Sequence, residues 1–135
     1  MQIKGNGVDI INNSRIKKAI KNENFINRVY SNIEIKGSKK IKNKTNYFAK
    51  RFAAKEAFVK SIGIGFRKNI QFKDISVKNN RLGKPQIFLS NKIKKILKKD
   101  FKLTKFNIFL SLADEKQFSI AYVVIDSWKY QKKIL

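Results

Sequence analysis

The chain has no cysteine and no histidine, a single proline, and only nine acidic residues among 135. Without cysteine there is neither a disulfide framework nor thiolate chemistry. Without histidine the commonest general base and metal ligand is missing, so any catalysis must use carboxylates, lysines, hydroxyls or a hard metal ion. No apolar run reaches the ~18 residues that a membrane span needs. The N-terminus MQIKGNGVDII has no charged region leading into an apolar stretch with a small-residue cleavage site. These absences predict a soluble, unprocessed, cytoplasmic chain. Its length, with no Pro- or Gly-rich linker and no internal repeat, predicts one domain spanning residues 1–135.

What is abundant is positive charge. Thirty-two basic residues give a net charge of +23, and 27 of the 32 are lysine. Such a balance favours an anionic partner: nucleic acid, a membrane surface or an acidic protein. Lys, Ile, Asn and Phe are abundant together, however, as a drift toward AT-rich codons also produces. Basicity alone therefore selects no function, and the scarce acids carry more information.

Residues 3–11 (IKGNGVDII) read as a short strand, with Asn12, Asn13 and Ser14 as cap candidates for a helix bearing Arg15, Lys17, Lys18 and Lys21 on its polar side. A second helix is expected over about 23–31. Residues 35–44 (IKGSKKIKNK) are polar, basic and unpatterned, as in a mobile loop. The good helix formers of residues 45–62 predict a long helix with Phe48, Phe52, Val59 and Ile62 on one face, ended by Gly63. Ile70, Phe72, Ile75 and Val77 suggest a strand with one irregularity, and NNRLGKP supplies a turn into QIFLS. A basic helix over 91–99 follows, with Ile93, Ile96 and Leu97 inward. KFNIFLSLA and FSIAYVVID then read as an antiparallel pair separated by residues 114–117. The fold class is mixed α/β (α+β): an antiparallel sheet packed with helices.

Two acids stand out. Asp9 is flanked by Val8, Ile10 and Ile11, company that an ionised carboxylate tolerates when it is paired, hydrogen-bonded or metal-bound; a strand-end residue accepting backbone N–H bonds has the same pattern. Glu56 lies four residues after Phe52 and four before Lys60, at the edge of the apolar face of the long helix. An exposed Glu56–Lys60 pair would explain it equally well. Together, two carboxylates suit Mg²⁺, which takes hard oxygen ligands and leaves positions for water and substrate phosphates. Lys60 could then hold phosphate oxygens, and the glycines of SIGIGF could let backbone approach a ligand.

The segment GVDIINNSRI resembles the N-terminal G-[ILV]-D-I-x-x-x-x-R-I of holo-acyl-carrier-protein synthases. FAKRFAAKEAFVKSIGIGF resembles their central F-x-x-R-F-A-A-K-E-A-x-x-K-A-x-G-x-G, and DISVKNNRLGKPQIFL and IFLSLADEKQFSIAYVVI resemble the later G-K-P segment and terminal strand pair. The likeness spans about residues 3–126. It implies a 4′-phosphopantetheinyl transferase acting on coenzyme A and an apo-acyl carrier protein in fatty acid biosynthesis, usually as a homotrimer with sites at subunit interfaces. By position it implies that Asp9 and Glu56 hold the metal, that Lys60 and Gly63 hold coenzyme A, and that Gly83, Lys84 and Pro85 lie near the substrate. Arg15 and Arg28 fall at positions facing the acidic carrier. Two residues depart from the pattern: Ala113 stands where the family has histidine after its S-[IL]-S strand, and Asn12 stands where an acid often follows the metal aspartate. The general base then falls to Glu56, directly or through a metal-bound water, or to Asp114. An inactive carrier-binding relative and a basic nucleic-acid-binding module are the alternative readings. No RNA-recognition, zinc or helix-turn-helix signature accompanies the second.

Overall fold

The computed structural model describes residues 1–67 and 69–128. Its centre is a long helix, α4 (Lys44–Ile62), lying across a three-stranded antiparallel sheet of β1 (Gln2–Asn12), β5 (Phe118–Ser127) and β4 (Phe106–Asp114), in that spatial order. Three short helices, α1 (Asn13–Ala19), α2 (Glu23–Val29) and α3 (Asn32–Ser38), connect β1 to α4. A separate hairpin of β2 (Ile75–Asn79) and β3 (Pro85–Leu89) is followed by α5 (Asn91–Phe101). This is the expected mixed fold of an antiparallel sheet packed with helices.

Strand alternation divides the sheet into two different faces. Ile11, Leu110, Ala121, Val123 and Ile125 point into the core, while Val8, Ile10, Phe109, Ile120 and Tyr122 point outward, with Val8 54 % and Ile10 59 % exposed. The inner face is unusually close to α4. A Cβ at Gly5 would lie 2.0 Å from the Ser61 carbonyl oxygen, and one at Gly7 would lie 2.0 Å from that of Ala57. Only glycine lets β1 backbone rest directly on helix backbone there.

α4 is buried more widely than one apolar face predicts. Besides the expected Phe48, Val59 and Ile62, the helix buries Ala49, Ala53, Ala54, Ala57 and Phe58, so it is enclosed on several sides. Its ends are as expected: the Asn43 side chain accepts from Asn46 N–H, and Gly63 closes it in the left-handed conformation at φ 79°.

Three expectations are corrected. Residues 35–44 are not one loop: residues through Ser38 belong to α3, which opens with a capping box between Ser31 and Glu34, and Lys44 already begins α4. Ile70 and Phe72 do not extend the strand; residues Phe72–Asp74 form a 3₁₀ turn and β2 starts at Ile75. Asp114 is the last residue of β4, paired with Ser119 of β5, and not part of the turn.

Candidate active site

Asp9 lies on the α4 side of β1, two residues beyond Gly7, so the close strand–helix contact carries its carboxylate to the helix. There Lys60 Nζ donates to Asp9 Oδ1 at 3.0 Å and to the Val8 carbonyl at 3.0 Å. Lys60 reaches back along the helix, as side chains on a helix lean toward its N-terminus. Lys60 thus forms a strand-to-helix ion pair with Asp9, 54 % exposed on the lysine side and 15 % on the aspartate side, while its charge also acts on Glu56.

Glu56, one turn before Lys60, completes the group. Burial pushes its carboxyl above the ordinary glutamate range, and the Asp9 charge pushes the same way, against the opposing pull of Lys60 and of Arg15 on α1. Two neighbouring carboxylates, open to solvent at the lysine, form a donor set suited to a hard divalent cation. Among the described residues no cluster of three or more His, Cys, Asp or Glu exists, so protein ligation would rest on this pair. The residues present fit such an ion if water and phosphate oxygens supply the remaining ligands.

Gly63 ends α4 one turn past Lys60, and Gly65 follows, also at positive φ. The four residues Asp9, Glu56, Lys60 and Gly63 therefore lie along one stretch of helix and strand, with Arg15 close enough to act on Glu56. The other expected site residues stand on other elements. Gly83, Lys84 and Pro85 are at the β3 end of the turn of the β2–β3 hairpin, whose main packing is against α3, α4, β4 and α5. Asp114 is held by Asn46 Nδ2 at 2.8 Å and Lys50 Nζ at 3.6 Å. Asn46 precedes Glu56 by ten residues, about 15 Å of helix. Arg28 sits in the last turn of α2, its guanidinium 6.0 Å from the Phe25 ring centroid.

Two networks escaped the sequence reading. One surrounds Asp114: Asn13 donates to Asn46 Oδ1, Glu115 O and Lys116 O, and accepts from Ser119 Oγ at 2.7 Å, pinning the β4–β5 turn to the start of α1. The other is a fully buried ion pair, Lys55 Nζ to Glu34 Oε1 at 2.6 Å, with both side chains at 0 % exposure. Burial pushes the Lys55 ammonium below its ordinary range, against the pull of Glu34. Glu34 could have been found by the test that singled out Asp9, since it lies between Ile33 and Ile35. Reading a loop from residue 35 hid it.

The chain as a whole is similar to known proteins. The family model described as the 4′-phosphopantetheinyl transferase superfamily matches residues 5–123. A holo-[acyl-carrier-protein] synthase of Pelagibacter ubique is 58 % identical over 125 residues, covering 93 % of this chain and 98 % of that protein. One from Ehrlichia chaffeensis is 44 % identical, over 91 % and 96 % of the two chains. The crystal structure of the holo-[acyl-carrier-protein] synthase from Neisseria meningitidis superposes with a TM-score of 0.84 at 34 % identity, covering 93 % of this chain and all of that one. A holo-(acyl-carrier-protein) synthase from Bacillus anthracis, solved in complex with CoA (3′,5′-ADP), superposes at 0.78 with 35 % identity, over 95 % and 100 %. The chain belongs to the holo-acyl-carrier-protein synthase family of enzymes, within the 4′-phosphopantetheinyl transferase superfamily.

Proposed function

We propose that the chain transfers the 4′-phosphopantetheine arm of coenzyme A to a serine of an apo-acyl carrier protein, releasing 3′,5′-ADP. The observation that carries this reading is the meeting of Asp9, Glu56 and the Lys60 ammonium where β1 crosses α4. Asp9 and Glu56 would hold Mg²⁺, which supplies charge neutralisation to the pyrophosphate. Lys60 is placed to give up part of its contact with Asp9 and bind a phosphate oxygen. Gly63 and Gly65 expose backbone beside that phosphate. The serine oxygen forms a bond to the β-phosphorus as the bond from that phosphorus to the 3′,5′-ADP oxygen breaks. Glu56, directly or through a metal-bound water, is the preferred acceptor of the serine proton, because it already belongs to the site. Asp114 is occupied by Asn46 and Lys50 and is a weaker candidate within one chain.

The engagement of Asp114 by Asn46 and Lys50, and the place of Gly83, Lys84 and Pro85 on a separate hairpin, support a site completed by a second copy. So does the outward apolar face of Val8, Ile10, Phe109, Ile120 and Tyr122, which a homotrimer would cover. Arg15 and Arg28 would steer the acidic carrier. We take residues 1–135 as one transferase domain acting in the cytoplasm within fatty acid biosynthesis; no described helix is long and apolar enough to cross a membrane.

The deciding experiment incubates the protein with apo-carrier protein, coenzyme A and Mg²⁺ and reads the carrier by mass spectrometry. A gain of one phosphopantetheine is expected. No gain, with a carrier that another synthase does modify, refutes the proposal. A monomeric mass by light scattering at assay concentration refutes the shared site.

A further inference from the structure

Buried between α3, α4 and the start of β2 is a polar cluster that the transfer chemistry does not use. Lys55 Nζ donates to Glu34 Oε1, to the Phe72 carbonyl at 3.2 Å and to the Ile75 carbonyl. Glu34 accepts in addition from Ser31 N–H at 2.9 Å and Val77 N–H at 3.1 Å. Stability alone is a poor reason for such a pair. Desolvating two charges offsets most of their attraction, and apolar residues of similar volume are often as good or better. What an apolar pair cannot supply is direction: the ammonium spends its donors on chosen carbonyls.

Those carbonyls mark the far end of a closed excursion. The chain leaves α4 at Gly63 and returns at Phe72, which Lys55 fastens to the helix two turns before the point of departure. Aromatic stacking repeats the attachment: Phe66 lies 4.0 Å from Phe72 between ring centroids, and Phe72 lies 5.3 Å from Phe52 of α4. Lys55 is also the immediate neighbour of Glu56, so one helical turn both presents the carboxylate to Asp9 and anchors the excursion that begins at the glycines.

We propose that Lys55 and Glu34 are positioning residues for coenzyme A: the buried pair fixes Phe72 against α4 and so helps to hold Gly63 and Gly65, the backbone that receives the nucleotide, in place. This rests on the reading that Gly63 and Gly65 lie against coenzyme A.

The test pairs a double variant, Glu34→Leu with Lys55→Met, with the milder Glu34→Gln. Removing both charges is expected to leave a folded protein melting near wild type. Coenzyme A affinity, measured by calorimetry, is expected to fall about tenfold, with the carrier KM changed less than about twofold. Amide hydrogens of residues 64–67 and 69–72 should exchange faster while those of residues 48–58 keep their protection. Glu34→Gln keeps an acceptor for Val77 and should show the same pattern at smaller amplitude. It carries the test if the double variant does not fold. Unchanged coenzyme A affinity and unchanged exchange in a folded variant overturn the proposal. Equal losses for both substrates do so too, because a general loss of structure would act on both. A wild-type protein that binds coenzyme A but transfers nothing refutes the transferase reading and leaves the affinity and exchange comparison intact.

Discussion

Lys55 and Glu56 are adjacent in sequence, yet their charges live in different media. Glu56 faces Asp9 and Lys60 at a surface where water can enter, and its opposing charges are incompletely balanced. Lys55 faces Glu34 in the dry interior, where each polar atom of the pair has a protein partner. The first cluster can exchange its partners for those of a ligand, whereas the second cannot change partners without loosening the fold. Chemistry is assigned to the open cluster for that reason, and geometry to the closed one.

The strongest way to break this contrast is to truncate one member of each. Asp9→Ala or Glu56→Ala should lower transfer by about a thousandfold, with melting temperature nearly unchanged, as read by steady-state rates and calorimetry. Lys55→Ala should do the reverse to the fold, costing about 3–5 kcal/mol in denaturant unfolding because Glu34 is left buried and unpaired. Equal stability losses in both clusters would erase the distinction.

A second, smaller effect separates ligand binding from structure inside the open cluster. Lys60→Ala should raise the coenzyme A KM about tenfold and barely move the carrier KM. Arg15→Glu and Arg28→Glu should raise the carrier KM instead, by an amount that added salt removes. Overlapping profiles would dissolve the proposed division between nucleotide contact and carrier docking.

The smallest effect concerns Asp74, which lies where the 63–72 excursion ends. Burial alone would raise its carboxyl, but donation from Lys92 at 2.8 Å, Gln71 N–H and Ser90 Oγ together hold it below the ordinary aspartate range. A depressed folded value means that the unfolded chain binds the proton first, so stability is present at neutral pH and is lost as pH falls through the folded value. Asp74→Asn should therefore cost about 1 kcal/mol at pH 7, and the gap to wild type should close in acid. A gap that persists at low pH would locate the effect in packing, not charge.

Much of the fold was legible because local signals agreed with tertiary need. The helix over 45–62 with its closing Gly63, and the final strand pair, follow from periodicity and caps. The approach of Asp9 to Glu56 was readable only as a shared chemistry, since the contact depends on strand–helix spacing that no local pattern encodes. α3 was missed because its stability comes from Ser31, Glu34 and burial against β2 rather than from an apolar stripe. Phe72 looked like a strand residue because alternation over a few positions also fits a 3₁₀ turn followed by a strand. The hairpin tip and Asp114 were tied to the site by resemblance alone; in the folded chain they stand on other elements than Asp9, and Asp114 is bonded to Asn46.

The backbone contact of β1 with α4 has a further consequence for how this sequence can change. A genome drifting toward AT-rich codons can rewrite water-facing positions as lysine, asparagine or isoleucine at little cost. At Gly5 and Gly7 it cannot, because every other amino acid brings a Cβ into the carbonyl of Ser61 or Ala57. The two positions thus behave as fixed points under mutational pressure: their substitution would lift the strand and carry Asp9 away from its partners. Tolerance of change in this small protein should fall steeply toward that seam.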